Sequence, residues 1–328
     1  MSTLRKVLLA ATFSGLAGAS SAAPYSGLVF FGDSLSDTGN SFIWLSQPAN
    51  QACGVPMNVP PYDALDPLKV PDGPYAHGGH HYSNGATWAE VTARSLALAG
   101  NARPAFAGAG TQARNYAVGG ARAVAGYPCR FNLPAQVNDA YLRDFPQTSA
   151  STLITIEIGG NDVRDGLVAV LLSGNPNAAA PYISAALASL GDSVGTLHAH
   201  GARKFLLLNV PNVGLTPAVR AFGPVAMFVG DSVSKGFNDN LGPLSQYLMS
   251  VLPGSDIRIV DIYTKLNQVV ASPASYGFTN WTEACITPNV PPFQCTDPDS
   301  YVFWDGIHPT KAMHAIIAQQ ALAALASQ

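Results

Sequence analysis

"VFFGDSLSDTGN", residues 29–40, runs a short apolar stretch into Gly32-Asp33-Ser34 and then into a cluster of turn-forming residues. A wholly apolar run of strand length reads as a strand of a parallel sheet, which is covered on both faces and so needs no polar side. The runs 28–31, 153–158, 205–210 and 257–262 fit this reading, although Thr155 and Glu157 in the second and Arg258 and Asp261 in the fourth predict less complete cover there. Helical spacing of apolar residues recurs at 87–98, 134–143, 181–200, 231–251 and 310–325. Alternation of the two patterns predicts an α/β fold, a doubly wound sheet with helices on both faces. Ligands of such sheets sit outside the carboxyl ends of the strands. The residues to inspect are therefore those that close the runs: Asp33 and Ser34, Gly159 to Asp162, and Asn209 to Asn212.

Gly-Asp-Ser occurs three times, ending at Ser34, Ser193 and Ser232. Ser193 lies in "GDSVG", which also fits the Gly-x-Ser-x-Gly elbow, but that elbow needs a strand before the serine. Here Ile183, Leu187, Leu190, Val194 and Leu197 recur at helical spacing, so Ser193 is expected inside a helix. Asp231 or Ser232 reads as the cap of a helix carrying Phe237, Leu241, Leu244 and Leu248. Ser34 alone follows a clear strand, and a strand-to-helix turn there leaves backbone N–H groups free to receive an oxyanion.

A serine hydroxyl needs a base, most often a histidine oriented by a carboxylate. "WDGIHPT" supplies His308 with Asp305 three residues earlier, just before the last helical run. "ITIEIGGND" ends a strand with Asn161, whose amide can donate to a developing oxyanion. "NYAVGGA" supplies Gly119 and Gly120, where the lack of a side chain lets backbone N–H come close to a substrate. His77, His80 and His81 cluster beside Gly78 and Gly79 without an evident further ligand, so exposed loop histidines are expected there and no metal.

"VFFGDSLSDTGN", "YSNGATWAE", "NYAVGGARA", "IEIGGNDVRD", "ARKFLLLNVPNVGLTP", "FNDNLGPL" and "FWDGIHPTKAMH" follow one another from about Leu28 to Leu325. In this set and order the chain resembles the SGNH, or GDSL, hydrolase family of lipases and esterases. The resemblance implies a three-layer α/β/α sandwich around a flavodoxin-like parallel sheet. It implies Ser34 as nucleophile, His308 as base and Asp305 as the orienting carboxylate. The oxyanion donors it implies are the backbone N–H of Ser34, a backbone N–H from Gly119 or Gly120, with Gly120 taken as the expected one, and the Asn161 amide. The implied reaction is carboxylic ester hydrolysis through an acyl-enzyme on Ser34, with no metal or organic cofactor. The substrate is expected to be an ester or lipid small molecule, with transient contact to membrane lipid. Blocks like "YSNGATWAE" also resemble those of phospholipases A and glycerophospholipid acyltransferases, and a carbohydrate O-acetyl esterase is a further alternative.

Bulk properties agree with such a role. The order Arg5-Lys6, a mostly apolar stretch from Val7, then small residues to Ala23 predicts a secretory signal peptide over 1–22, followed by one hydrolase domain over 23–328. A secreted or periplasmic product is expected. Charged residues make up 11% of the chain and the formal net charge is −3, a poor match for nucleic acid phosphates. The four cysteines, Cys53, Cys129, Cys285 and Cys295, allow three pairings in an exported chain. Cys285–Cys295 with Cys53–Cys129 is preferred, because the first pair closes one short Pro-rich loop. The irregular stretches 48–86 and 271–304 are expected to wall the site.

Overall fold

Alternation along each strand divides the core in two. The computed structural model describes residues 25–53, 80–108, 110–127, 130–286, 292 and 294–327. Within them the chain forms a parallel sheet of β1 (Gly27–Gly32), β2 (Thr152–Glu157), β3 (Lys204–Leu208) and β4 (Asp256–Val260), in that spatial order. Val29, Phe31, Ile154, Ile156, Phe205 and Leu207 pack on one face with the helices Gly160–Ser173, Ala180–Ala199 and Pro224–Val251. Leu28, Phe30, Leu153, Leu206 and Leu208 pack on the other with Trp88–Ser95, Ile262–Ala271 and Lys311–Ala326. Neighbouring side chains of a strand point to opposite faces, so two buried faces demand apolar residues at every position. The result is the expected α/β/α arrangement.

The segment around Asn115 runs along the free edge of β1. Phe30 N–H donates to the Arg114 carbonyl at 3.0 Å, Tyr116 N–H to Phe30 at 2.8 Å and Val118 N–H to Gly32 at 3.2 Å. With this segment counted as a strand, the spatial order becomes 2-1-3-4-5, the flavodoxin-like order, whose crevice lies beside the first strand.

Several boundaries differ from the sequence reading. The run 153–158 is not less covered than its neighbours. Thr155 is fully buried because its hydroxyl donates to the Val29 carbonyl at 2.9 Å, and Glu157 is buried through bonds described below. The fourth run does behave as expected, since Arg258 lies half-buried on the edge strand. That strand stops at Val260, because the Asp261 side chain accepts the Thr264 N–H at 2.9 Å and caps the helix Ile262–Ala271. The run 231–251 is the end of a longer helix, Pro224–Val251, which opens with proline at its first position. Ser232 is therefore not a cap; its hydroxyl donates to the Phe228 carbonyl at 2.9 Å inside that helix, and Asp231 accepts from the Asn212 amide at 2.5 Å and Tyr263 hydroxyl at 2.6 Å. Ser193 lies inside the helix Ala180–Ala199, as expected. The helical stretch at 133–144 contains a π-helical turn, Gln136–Tyr141.

Cys285 and Cys295 form the preferred disulfide. Cys53 is also disulfide-bonded, while Cys129, the other half of the preferred second pair, lies outside the described residues. Such bonds persist in oxidising compartments. The expected signal segment 1–22 likewise lies outside the described residues. Among the described residues no helix is long and apolar enough to cross a membrane.

Candidate active site

Ser34 sits in a tight turn at the carboxyl end of β1. The Asp33 carbonyl accepts the N–H groups of Ser36 at 3.2 Å and Asp37 at 3.0 Å, and the next helix, Asn40–Ser46, begins only at Asn40. The expected strand-to-helix turn thus spans several residues before the helix begins. Gly32, just before it, is clamped by the fully buried Gln136, whose amide accepts the Gly32 N–H at 2.9 Å and donates to its carbonyl at 2.8 Å. A Cβ on Gly32 would strike the Glu157 carbonyl, so no side chain fits at this entry.

Asp37 ties this turn to the glycine loop. Its two oxygens accept the N–H groups of Gly39 at 2.7 Å, Asn40 at 2.7 Å, Ser41 at 3.0 Å and Gly119 at 2.8 Å. Burial pushes the Asp37 carboxyl up to about 6 against the pull of those donors. Because the Gly119 N–H is engaged by Asp37, the next N–H, that of Gly120, is the one left without an acceptor among the described residues. Gly120 has φ +75°, which favours glycine, and an added Cβ would meet the Arg130 side chain at 2.8 Å.

His308 and Asp305 come from the segment that follows the strand Tyr301–Phe303. The Trp304 N–H donates to the His308 carbonyl at 2.8 Å, which folds residues 304–308 back on themselves. Asp305, fully buried, uses Oδ1 to accept the N–H groups of Ile307 at 2.8 Å and His308 at 2.7 Å. Its Oδ2 lies 2.6 Å from His308 Nδ1, and His308 Nε2 lies 2.7 Å from Ser34 Oγ. Three residues 274 positions apart at the extremes are thereby joined in one chain of short bonds.

The described parts of the stretches 48–86 and 271–304 lie beside the triad but contribute no residue to the pocket at Ser34. The Tyr82 ring lies 5.0 Å from that of His308, and the Cys285–Cys295 segment bonds along 303–304, with Ile286 N–H donating to the Trp304 carbonyl at 2.8 Å. The neighbouring histidines are not exposed loop residues, however. His80 stacks on Phe42 with ring centres 3.6 Å apart, and His81 is buried with Nε2 2.9 Å from Glu90. His77 lies outside the described residues. No group of His, Cys, Asp or Glu suited to a metal ion occurs among the described residues.

Asn161 lies in the first turn of the helix Gly160–Ser173. Its amide donates to the Ala121 carbonyl at 3.0 Å and to Asp33 Oδ2 at 3.2 Å. Asp33, Ser34, Asn161 and His308 line one pocket of about 70 Å³, whose other walls include Leu35, Val213, Val219 and Ile307. An apolar cavity of about 40 Å³ adjoins it and shares Leu35, Pro211, Thr216 and Ile307. Gln136, Asp37 and Glu157 are parts of the site to which the sequence reading gave no role, and Asp33 was picked out only as a residue closing the first run. The only signal was Glu157 itself, an acid inside a strand pattern.

The chain matches the GDSL-like Lipase/Acylhydrolase family profile over residues 28–321. A GDSL esterase/lipase of Arabidopsis thaliana is 25% identical, covering 90% of this chain and 85% of its own length. Another from the same plant is 26% identical over 90% of this chain and 88% of its own. Among solved structures, an acetylxylan esterase from Geobacillus stearothermophilus superposes with a TM-score of 0.41 at 15% identity, covering 92% of this chain and 94% of that one.

Proposed function

The chain belongs to the GDSL-like lipase/acylhydrolase family and is a carboxylic ester hydrolase, and from that premise we propose that it works through an acyl-enzyme on Ser34. The observation that carries this reading is the unbroken run of bonds from Asp305 through His308 to Ser34, at 2.6 and 2.7 Å. Ser34 Oγ attacks the ester carbonyl as His308 Nε2 takes its proton. Asp305 holds the ring with Nδ1–H toward itself and stabilises the imidazolium. The tetrahedral oxyanion then rests on the Ser34 and Gly120 N–H groups and the Asn161 amide. His308 returns the proton to the departing alcohol, and water repeats the sequence in reverse to release the acid.

In the resting site both Asn161 amide hydrogens already have protein acceptors, and the oxyanion takes over the longer bond, the 3.2 Å one to Asp33. Asn161→Ala is expected to lower kcat by about 10²–10³-fold with little change in KM, because the bond forms only in the transition state. Steady-state kinetics check this, and an unchanged kcat removes Asn161 from the oxyanion site.

The apolar walls of the Ser34 pocket, and the adjoining cavity beyond Leu35 and Ile307, favour acyl chains longer than acetyl. Phe222, Val225 and Phe228, each more than 70% exposed, lie close in sequence to the wall residue Val219 and support contact with lipid. Nitrophenyl esters of increasing chain length should give a kcat/KM that rises beyond acetate before falling. A maximum at acetate favours the carbohydrate O-acetyl esterase reading instead.

A further inference from the structure

Glu157 ends β2 as a carboxyl group 1% exposed to solvent, one strand away from the turn that carries Ser34. Its Oε2 accepts the Ser36 hydroxyl at 3.0 Å, and the Ser36 oxygen accepts the Trp88 indole N–H at 3.0 Å. Glu157 is paired across the sheet with Gly32, next to Asp33, and the two buried carboxyls, 1% and 2% exposed, interact directly. Asp33 in turn accepts the Leu35 N–H at 3.1 Å through Oδ1 and the Asn161 amide at 3.2 Å through Oδ2. Two buried carboxyls in contact cannot both be ionised, so the pair holds one proton. The partners say which one holds it. Burial raises the Asp33 carboxyl as well, but two N–H donors and the nearby Arg122 and Arg164 favour its charged form. Glu157 also has two donors, the Ser36 hydroxyl and the Asp33 backbone N–H, so it is the positive charge of Arg122 and Arg164 near Asp33 that places the negative charge there. Burial, and then the Asp33 charge, raise the Glu157 carboxyl well above its ordinary range.

We propose that Glu157 is a positioning residue of the ester hydrolysis: as the neutral acid it donates its O–H to Asp33, and Asp33, so anchored, steers the Asn161 amide toward the oxyanion. This role rests on the Ser34 acyl-enzyme reading. One proton on the pair keeps a single negative charge beside the site. A second would oppose the oxyanion and push Asp33 away from Glu157. The O–H bond also draws on the Asp33 lone pairs, which weakens their hold on the amide hydrogen that the oxyanion must take.

Gln at 157 can donate N–H to Asp33 and accept the Ser36 hydroxyl, but it cannot ionise. Glu157→Gln is therefore expected to keep kcat within a few fold of the parent and to lack the fall in kcat expected of the parent as pH rises through the raised Glu157 range. Glu157→Ala is expected to lower kcat about 10- to 100-fold, less than loss of a direct oxyanion donor, with KM little changed. Infrared spectroscopy of the parent at neutral pH should show the carbonyl stretch of a protonated buried carboxyl that disappears in Glu157→Gln. The thermal stability of the parent should also fall as pH rises from the ordinary glutamate range toward the raised value, because the folded state must keep a proton that the unfolded chain releases; Glu157→Gln should show a shallower fall. The infrared band and the stability slope need no turnover, so they stand even if Ser34 proves not to be the nucleophile. Absence of the band in the folded parent overturns the proposal, as does a kcat unchanged in Glu157→Ala or reduced equally in Glu157→Gln and Glu157→Ala.

Discussion

Ser34→Ala is expected to lower kcat by about 10⁴-fold or more, with the fold and the ability to bind substrate intact. The reason is that the whole site converges on one oxygen. His308 Nε2 reaches Ser34 Oγ at 2.7 Å, and the loop of Gly120 and the helix start at Asn161 are tied to the same turn through Asp37 and Asp33. Without Oγ, His308 has nothing to activate except water, and the remaining donors can only polarise the carbonyl. The other two Gly-Asp-Ser serines are controls. Ser193 is buried within the helix Ala180–Ala199, and the Ser232 hydroxyl bonds back to Phe228 within the helix Pro224–Val251. Ser193→Ala and Ser232→Ala are expected to leave kcat within a few fold. Initial rates on one nitrophenyl ester, with circular dichroism to check folding, decide the matter. A dead Ser193→Ala with an active Ser34→Ala refutes the assignment.

Asp305→Asn is expected to cost about 10⁴-fold in kcat, the size of loss seen when a serine protease triad carries the same change. Asp305 Oδ1 already accepts two backbone N–H groups, so an asparagine would keep its carbonyl oxygen there. That orientation turns the amide N–H₂ toward His308 Nδ1, which must then be the unprotonated nitrogen. Nε2 would carry the hydrogen and could no longer accept the Ser34 proton. The packing around a fully buried side chain is nearly unchanged by the swap, so stability should fall far less than activity. Full activity in the folded variant removes Asp305 from the mechanism.

How much of this was legible in the sequence depends on whether a residue's role is local. Asp305 and His308 are three positions apart and share a turn, and Ser34 follows an apolar strand, so short patterns expose all three. Gly120 became distinguishable from Gly119 only once the Gly119 N–H was seen to be engaged by Asp37 across 82 positions. The strand-like segment at Asn115 carries only three apolar residues in a row, Tyr116 to Val118, and is fixed from outside itself by the Asn40 amide, which donates to the carbonyls of Asn115 at 2.7 Å and Ala117 at 2.9 Å. Polar residues in β2 suggested partial exposure, whereas Thr155 and Glu157 find buried partners in other elements. The start of the helix Pro224–Val251 was hidden by Asp231 and Ser232, good capping residues that act here within the helix. His80 and His81 read as loop residues since neither Phe42 nor Glu90 is near enough in sequence to suggest contact.

The central claim, that Ser34 is the one activated nucleophile, is tested most directly by reaction with a fluorophosphonate followed by peptide mapping. A serine made nucleophilic by a neighbouring histidine attacks the phosphorus and displaces fluoride, which leaves a stable adduct on the reacting oxygen. The expected result is one adduct per chain, on the peptide containing Ser34, absent from Ser34→Ala and greatly slowed in Asp305→Asn. An adduct on the peptide of Ser193 or Ser232, or a folded and active enzyme that takes up no label, would contradict the account.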